Sequence, residues 1–163
     1  MAATLVLAVS FGSTPTVTDS VTGIDLISAD NATNTLANRQ AFPITVGTNS
    51  YEKWTRLKIT ATPANYVRSF KVWFNSTVDA STTLYFTGAY VTYTLGTTAN
   101  SAVANVSATA HTSGAKAVWD DNSFTAGQTA AYTRYLVMQL RVGSDAGPGN
   151  WSQQTVNYSY DEA

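Results

Sequence analysis

The side chains best suited to chemistry are few and far apart. His111 is the only histidine in the chain, so a Ser-His-Asp relay would have to run through it. It lies between Ala110 and Thr112 in a Ser- and Thr-rich stretch. No Gly-x-Ser-x-Gly nucleophile elbow is present, and His111 reads as a surface histidine. One imidazole and no cysteine fall short of a zinc site. A glycosidase pair would have to be drawn from Asp19, Asp25, Asp30, Asp79, Asp120, Asp121, Asp145, Asp161, Glu52 and Glu162. Most of these fall in turn-like sequence, where Asp accepts local backbone hydrogen bonds. Only Asp25 and Glu52 sit in or beside strand-like runs. Asp120-Asp121-Asn122 bunches oxygen ligands of the kind a hard cation takes. It lacks the alternating ligand spacing of a calcium loop and reads as an Asx turn. No catalytic residue, cofactor or metal is expected.

Aromatic and cationic residues offer a different kind of chemistry, that of contact. Between Tyr51 and Ala61, Thr55, Leu57, Ile59 and Ala61 share one face of an alternating run, and Trp54, Arg56, Lys58 and Thr60 share the other. In the next run Phe70, Val72 and Phe74 alternate with Ser69, Lys71 and Trp73. Trp54, Arg56, Lys71 and Trp73 thus fall opposite the expected core and form a candidate interface, Trp and Arg being prominent in binding energetics. Two other readings stay open. That face is itself buried against another sheet or subunit, or inside and outside are exchanged on one strand. Trp54, Trp73, Trp119 and Trp151 are also the candidate platforms for stacking a sugar.

The elements that must position these residues have period two. Leu5, Leu7, Val9 and Phe11 oppose Thr4, Val6, Ala8 and Ser10, and Gly12-Ser13-Thr14-Pro15 ends the run. A short apolar run covers 23–27. Residues 28–40 form a helical turn or a surface loop, the Asn-rich content favouring the loop. Residues 41–46 are a candidate strand, confined by Pro43 to an edge or bulge. In 83–95, Leu84, Phe86 and Tyr90 share one face, and Gly88 marks a bulge or a close approach. Further runs cover 102–110, 115–119, 132–142 and 151–160. Some eight or nine strands separated by Gly, Pro and Asn turns describe an all-β chain. The expected architecture is one antiparallel β-sandwich over 1–163, jelly-roll or immunoglobulin-like, with no linker.

Composition narrows the function. The chain has 163 residues, 12% charged and 12% aromatic, with a net charge of −1. One core is enough for a chain of this length, which buries about two thirds of its unfolded surface. Low charge with many aromatics describes a folded surface of Thr, Ser, Asn and Ala rather than disorder. Without a basic cluster, no nucleic-acid partner is expected. The apolar start lacks a leading Lys or Arg, so no signal peptide is expected. No run reaches the roughly 18 apolar residues of a membrane helix, so no membrane partner is expected. Five Asn-x-Ser/Thr triplets, at Asn31, Asn75, Asn105, Asn150 and Asn157, are discounted as glycosylation sites without an export signal.

Three segments resemble a known group. Leu5-Val6-Leu7-Ala8-Val9-Ser10-Phe11-Gly12, continuing through Pro15-Thr16-Val17-Thr18-Asp19-Ser20-Val21, is similar to the start of small structural proteins encoded by tailed bacteriophages. So are Ile44-Thr45-Val46-Gly47-Thr48-Asn49-Ser50-Tyr51-Glu52-Lys53-Trp54 and the stretch from Pro148-Gly149-Asn150-Trp151-Ser152 to Asn157-Tyr158-Ser159-Tyr160-Asp161-Glu162. The resemblance covers most of the chain and implies a virion protein with a β-sandwich domain, without catalytic residues or cofactor. Capsid decoration on the head exterior is the leading role it implies. A tail, neck or fibre module is the alternative, and a carbohydrate-binding or adhesion module the reading outside that group. The implied partners are the major capsid protein or other virion proteins, with self-association. The implied location is the virion, assembled in the host cytoplasm.

Overall fold

In a computed structural model, residues 2–61, 64–75, 81–99, 106–147 and 154–163 are described. They form ten strands: β1 (Thr4–Phe11), β2 (Thr16–Asp19), β3 (Lys53–Ala61), β4 (Tyr66–Asn75), β5 (Thr82–Tyr90), β6 (Val106–Ser107), β7 (Ala117–Asp120), β8 (Phe124–Thr125), β9 (Tyr135–Val142) and β10 (Thr155–Glu162). One short helix, α1 (Leu36–Ala41), interrupts the connection from β2 to β3. The larger sheet runs β2-β1-β3-β9-β5-β6. The smaller runs β10-β4-β7, with β8 also on β4. Every strand pair is antiparallel. The chain is an all-β antiparallel sandwich, as its period-two patterning requires.

The core lies between the two sheets. β3 contributes Leu57 and Ile59, β4 contributes Val67, Phe70, Val72 and Phe74, β5 contributes Leu84 and Phe86, and β9 contributes Leu136, Met138 and Leu140. Alternation in β3 and β4 therefore sends inward the side chains expected there. Aromatic rings meet at tilted or edge-on angles, with Phe70 5.7 Å from Phe124 and Phe74 4.9 Å from Phe86.

Three departures from the sequence pattern have local causes. Residues 36–41 are helical because Thr35, in extended conformation, caps the first turn with its hydroxyl oxygen 3.1 Å from the amide of Asn38. The expected strand at 41–46 is absent, since α1 occupies its start and turn and coil conformations follow. The run at 23–27 is likewise irregular, although Ile27 is buried.

A further departure is the bulge in β5. Between Thr87 and Tyr90 the pairing to β9 slips by one residue, with Ala89 at φ +70°. The slip moves Tyr90 off the face it was expected to share with Leu84 and Phe86 and sets it against Trp54 on the far side of the larger sheet. Gly88 is also a close approach. A Cβ there would lie 2.5 Å from Cβ of Trp119 and 3.1 Å from its Cα.

Gly88→Ala is expected to destabilise the fold by about 1–3 kcal/mol, the usual range for overpacking a filled site. Gly47 is the control: its φ is +80° but nothing lies within 4 Å of an added Cβ. Gly47→Ala should therefore cost only backbone strain of about 1–2 kcal/mol. Urea unfolding of both variants measures the difference. A Gly88→Ala variant as stable as the parent would mean that the β5–β7 contact is not tight.

Candidate functional site

The four candidate interface residues divide between two surfaces. Trp54 and Arg56 belong to β3 in the larger sheet, Lys71 and Trp73 to β4 in the smaller. The chain crosses from one sheet to the other between β3 and β4, so their outward faces point away from each other. No single surface contains all four.

Trp54 is not on a surface at all: its relative exposure is 0%. The outward face of the larger sheet is covered by the chain's own residues. Tyr90, Tyr93 and Tyr135 surround the indole at 5.2, 5.4 and 5.5 Å between centroids. Tyr93 is fixed there because its hydroxyl donates to the carbonyl of Gly12 at 3.0 Å. Burial and the neighbouring Asp30 carboxylate push its phenol up to about 12. Of the open readings, burial of the second face is the one the structure adopts here, with the cover supplied within the chain. Trp119 is buried in the core, its indole N–H donating to the carbonyl of Arg134 at 3.2 Å. Neither tryptophan is open to a sugar, and Trp151 lies outside the described residues.

Arg56 is held differently. Its guanidinium carbon lies 3.8 Å from the ring centroid of Tyr132 and 4.6 Å from that of Tyr135. Beside it, Lys58 donates to Asp19 at 2.5 Å, and the Tyr132 hydroxyl donates to the same carboxylate at 3.1 Å. The bond from Lys58 holds the Asp19 carboxyl below its ordinary range. Sequence reasoning missed Tyr132 and Arg134, which flank Arg56 from the segment leading into β9. No local pattern links them to a residue so distant in the chain.

Lys71 and Trp73 share the outward face of the smaller sheet. Both are half-buried, and Lys71 reaches Asp161 at 3.4 Å. The Lys116 ammonium stands 4.4 Å from the Trp73 ring. Val118, paired with Lys71 across β7, is 51% exposed.

The remaining polar candidates are structural. One oxygen of Asp120 accepts from the amide of Asn122 at 2.9 Å, an Asx turn, and the other from the amide of Arg134 at 2.6 Å. Among the described residues no three His, Asp or Glu side chains gather as a metal site. His111 is half-buried rather than a surface side chain, its ring edge-on to Phe86 at 5.1 Å and its Nδ1 3.1 Å from the carbonyl of Ala115. No described helix is long and apolar enough to cross a membrane.

One buried cation escaped the sequence reading. Lys53 is 1% exposed, and its ammonium donates to the carbonyls of Ala29 and Asn31 at 2.6 and 2.8 Å. It pins the irregular segment before α1, whose Arg39 pairs with the buried Asp25 at 2.9 Å. Burial drives the Lys53 ammonium down to about 8, against the favourable charges of Asp30 and Asp25.

The geometry defines an antiparallel β-sandwich in which the chain's own tyrosines seal the Trp54 part of one outer face, while Val118 stands exposed on the other. A scan against protein-family models finds no match to it, and searches of curated proteins and of solved structures find none either.

Lys53 gives the fold a pH dependence with a definite sign. Below pH 8 the folded and unfolded chains both carry the ammonium. Between about 8 and 10.5 the unfolded chain keeps a proton that the folded chain has released, so stability rises with pH. The rise is roughly 3 kcal/mol over that window. Above 10 the sign reverses, because Tyr93, Tyr158 and Tyr160 are held protonated by burial and ionise first in the unfolded chain. Denaturant unfolding at stepped pH should show a maximum near pH 10 in the parent and no rise above pH 8 in Lys53→Met. An unchanged rise in the variant would assign it to another group.

Proposed function

We propose that this chain is a structural virion protein, a capsid decoration protein that binds the exterior of an assembled head and stabilises it by non-covalent contacts. The observation that carries the reading is the asymmetry of the sandwich. The larger sheet hides Trp54 beneath its own tyrosines, whereas the smaller sheet leaves Trp73, Lys71 and the 51%-exposed Val118 on an outward face. Trp73 is the residue on this face that favours binding, since tryptophan is among the side chains that most often dominate interface energetics, and exposed Val118 adds apolar area beside it. The resemblance of three segments to phage structural proteins supports the same role, as does a surface rich in Thr, Ser and Asn with little charge. Contacts of modest apolar area suffice in this setting, at about 25 cal/mol per Å2. Repetition over a symmetric shell retains copies that bind weakly one at a time.

The test uses the purified full chain and heads of the encoding virus that lack it. Co-sedimentation should show saturable binding to mature heads and none to unassembled coat protein. Trp73→Ala and Val118→Asp should each weaken binding about tenfold or more while the melting temperature stays within a few degrees. Binding to tails and not heads would move the role elsewhere in the particle. Binding only to unassembled coat protein, or equal binding by both variants, would overturn the proposal.

A further inference from the structure

On the outward side of the larger sheet, next to the sealed Trp54 cluster, lies an open concavity of about 330 Å3 lined by Arg56, Val91, Asn122, Tyr132, Thr133 and Arg134. Two guanidinium groups border it: among the described residues Arg56 has no carboxylate partner, and Arg134 has one, the buried Asp120. Four ion pairs form among the described residues, and Arg56 belongs to none of them. Its Nε is shut off from solvent without a hydrogen-bond partner. Arg134 approaches Asp120 only at 3.9 Å. Asp120 is itself fully buried, with its oxygens turned to the amides of Asn122 and Arg134. Asp19, the other nearby acid, is taken by Lys58 and Tyr132. Asp121, next along the chain, is exposed and pairs with neither arginine.

The aromatic bed decides what Arg56 has left to offer. Stacking on Tyr132 and Tyr135 occupies a guanidinium through its flat face. Its two terminal nitrogens keep in-plane N–H donors for a planar acceptor, which a carboxylate matches end-on with two parallel hydrogen bonds, while the Nε is closed off. A bed of two rings also fixes the side chain, so little rotamer freedom remains to be lost on binding. Val91, 74% exposed, supplies an apolar contact for the carbon chain behind the acid.

We infer that this concavity is a carboxylate-binding site, built to take the side chain of an acidic residue presented by another polypeptide. The inference is independent of the virion reading, since any acidic peptide segment of the right reach satisfies it.

Amide-resolved NMR titration of the full chain tests it, with four probes: the capped peptide Ac-Ala-Glu-Ala-NH2, its Gln counterpart, sodium acetate and inorganic phosphate. The Glu peptide and acetate should give saturable shifts at Val91, Asn122, Tyr132 and Arg134, the Glu peptide binding more tightly. The Gln peptide should give none. Arg56→Gln should weaken Glu-peptide binding about tenfold or more, as expected for losing a charge-assisted hydrogen bond. Arg56→Lys should restore part of it, lacking the fork. Arg134→Gln is the second variant, needed if Arg56→Gln disturbs folding, and should also weaken binding. Equal shifts with the Gln peptide, tighter binding of phosphate than of acetate, or undiminished binding in both Gln variants would overturn the inference.

Discussion

Strand β9 has no exposed face, and the architecture follows from that constraint. Leu136 and Met138 point into the sandwich, Val137 and Gln139 point away from it, and all four are fully buried. A two-layer sandwich covers only one side of a central strand. The other side of β9 has to be covered by something else, and the chain after β5 covers it. The bulge at Gly88–Ala89 turns Tyr90 outward onto Trp54, and Tyr93 follows it. Gln139, the polar residue on this covered side, is satisfied by the carbonyl of Ser50 at 3.1 Å. A one-residue slip thus converts half of a sandwich into a three-layer structure.

Sealing one face in this way concentrates polar groups at its margin. Lys53 sits where the irregular segment before α1 meets the sheet, and its ammonium is paired with carbonyl oxygens and, among the described residues, with no carboxylate within salt-bridge distance. Such a cation is a poor source of net stability, because its desolvation offsets most of what the hydrogen bonds return. Its effect is on uniqueness. A long segment without regular structure has many near-equivalent paths, and two short bonds from a fixed strand select one. Asn38 works in the same way, donating to the carbonyl of Thr33 at 2.8 Å and exchanging amide hydrogen bonds with Asn31.

The sequence made the inward faces of β3 and β4 legible because alternation holds through the residues that pack, from Thr55 to Ile59 and from Phe70 to Phe74. It did not make the outward faces legible. Placing Trp54 and Trp73 on a common surface assumed that consecutive strands are neighbours in one sheet. In a sandwich whose connections cross between sheets, that assumption fails for β3 and β4. Tyr90 was misplaced because period two has no way to signal an extra residue, although Gly88 marked the position. Helix α1 was obscured by the Asn-rich sequence around it, and the cap at Thr35 would have been the signal. Tyr132 and Arg134 carried no local signal, since their importance arises only when the turn after β7 and the lead into β9 converge on Arg56.

That convergence explains why a strand alternating Trp54, Arg56 and Lys58 on one face is consistent with a buried neighbour. The face changes from sealed to open over four residues. Trp54 lies at 0% exposure beneath three tyrosines, Arg56 is half-buried on Tyr132 and Tyr135, and Lys58 reaches the surface to hold Asp19. Tyr135 serves both ends of this gradient, edge-on to Trp54 and beneath Arg56. An aliphatic residue at 56 would extend the sealed cluster, and a lysine would reach into solvent. A guanidinium is the side chain that packs as a flat apolar surface on one side while keeping in-plane donors on its edge. The position is therefore the boundary between what this fold needs to close itself and what it keeps available for another molecule.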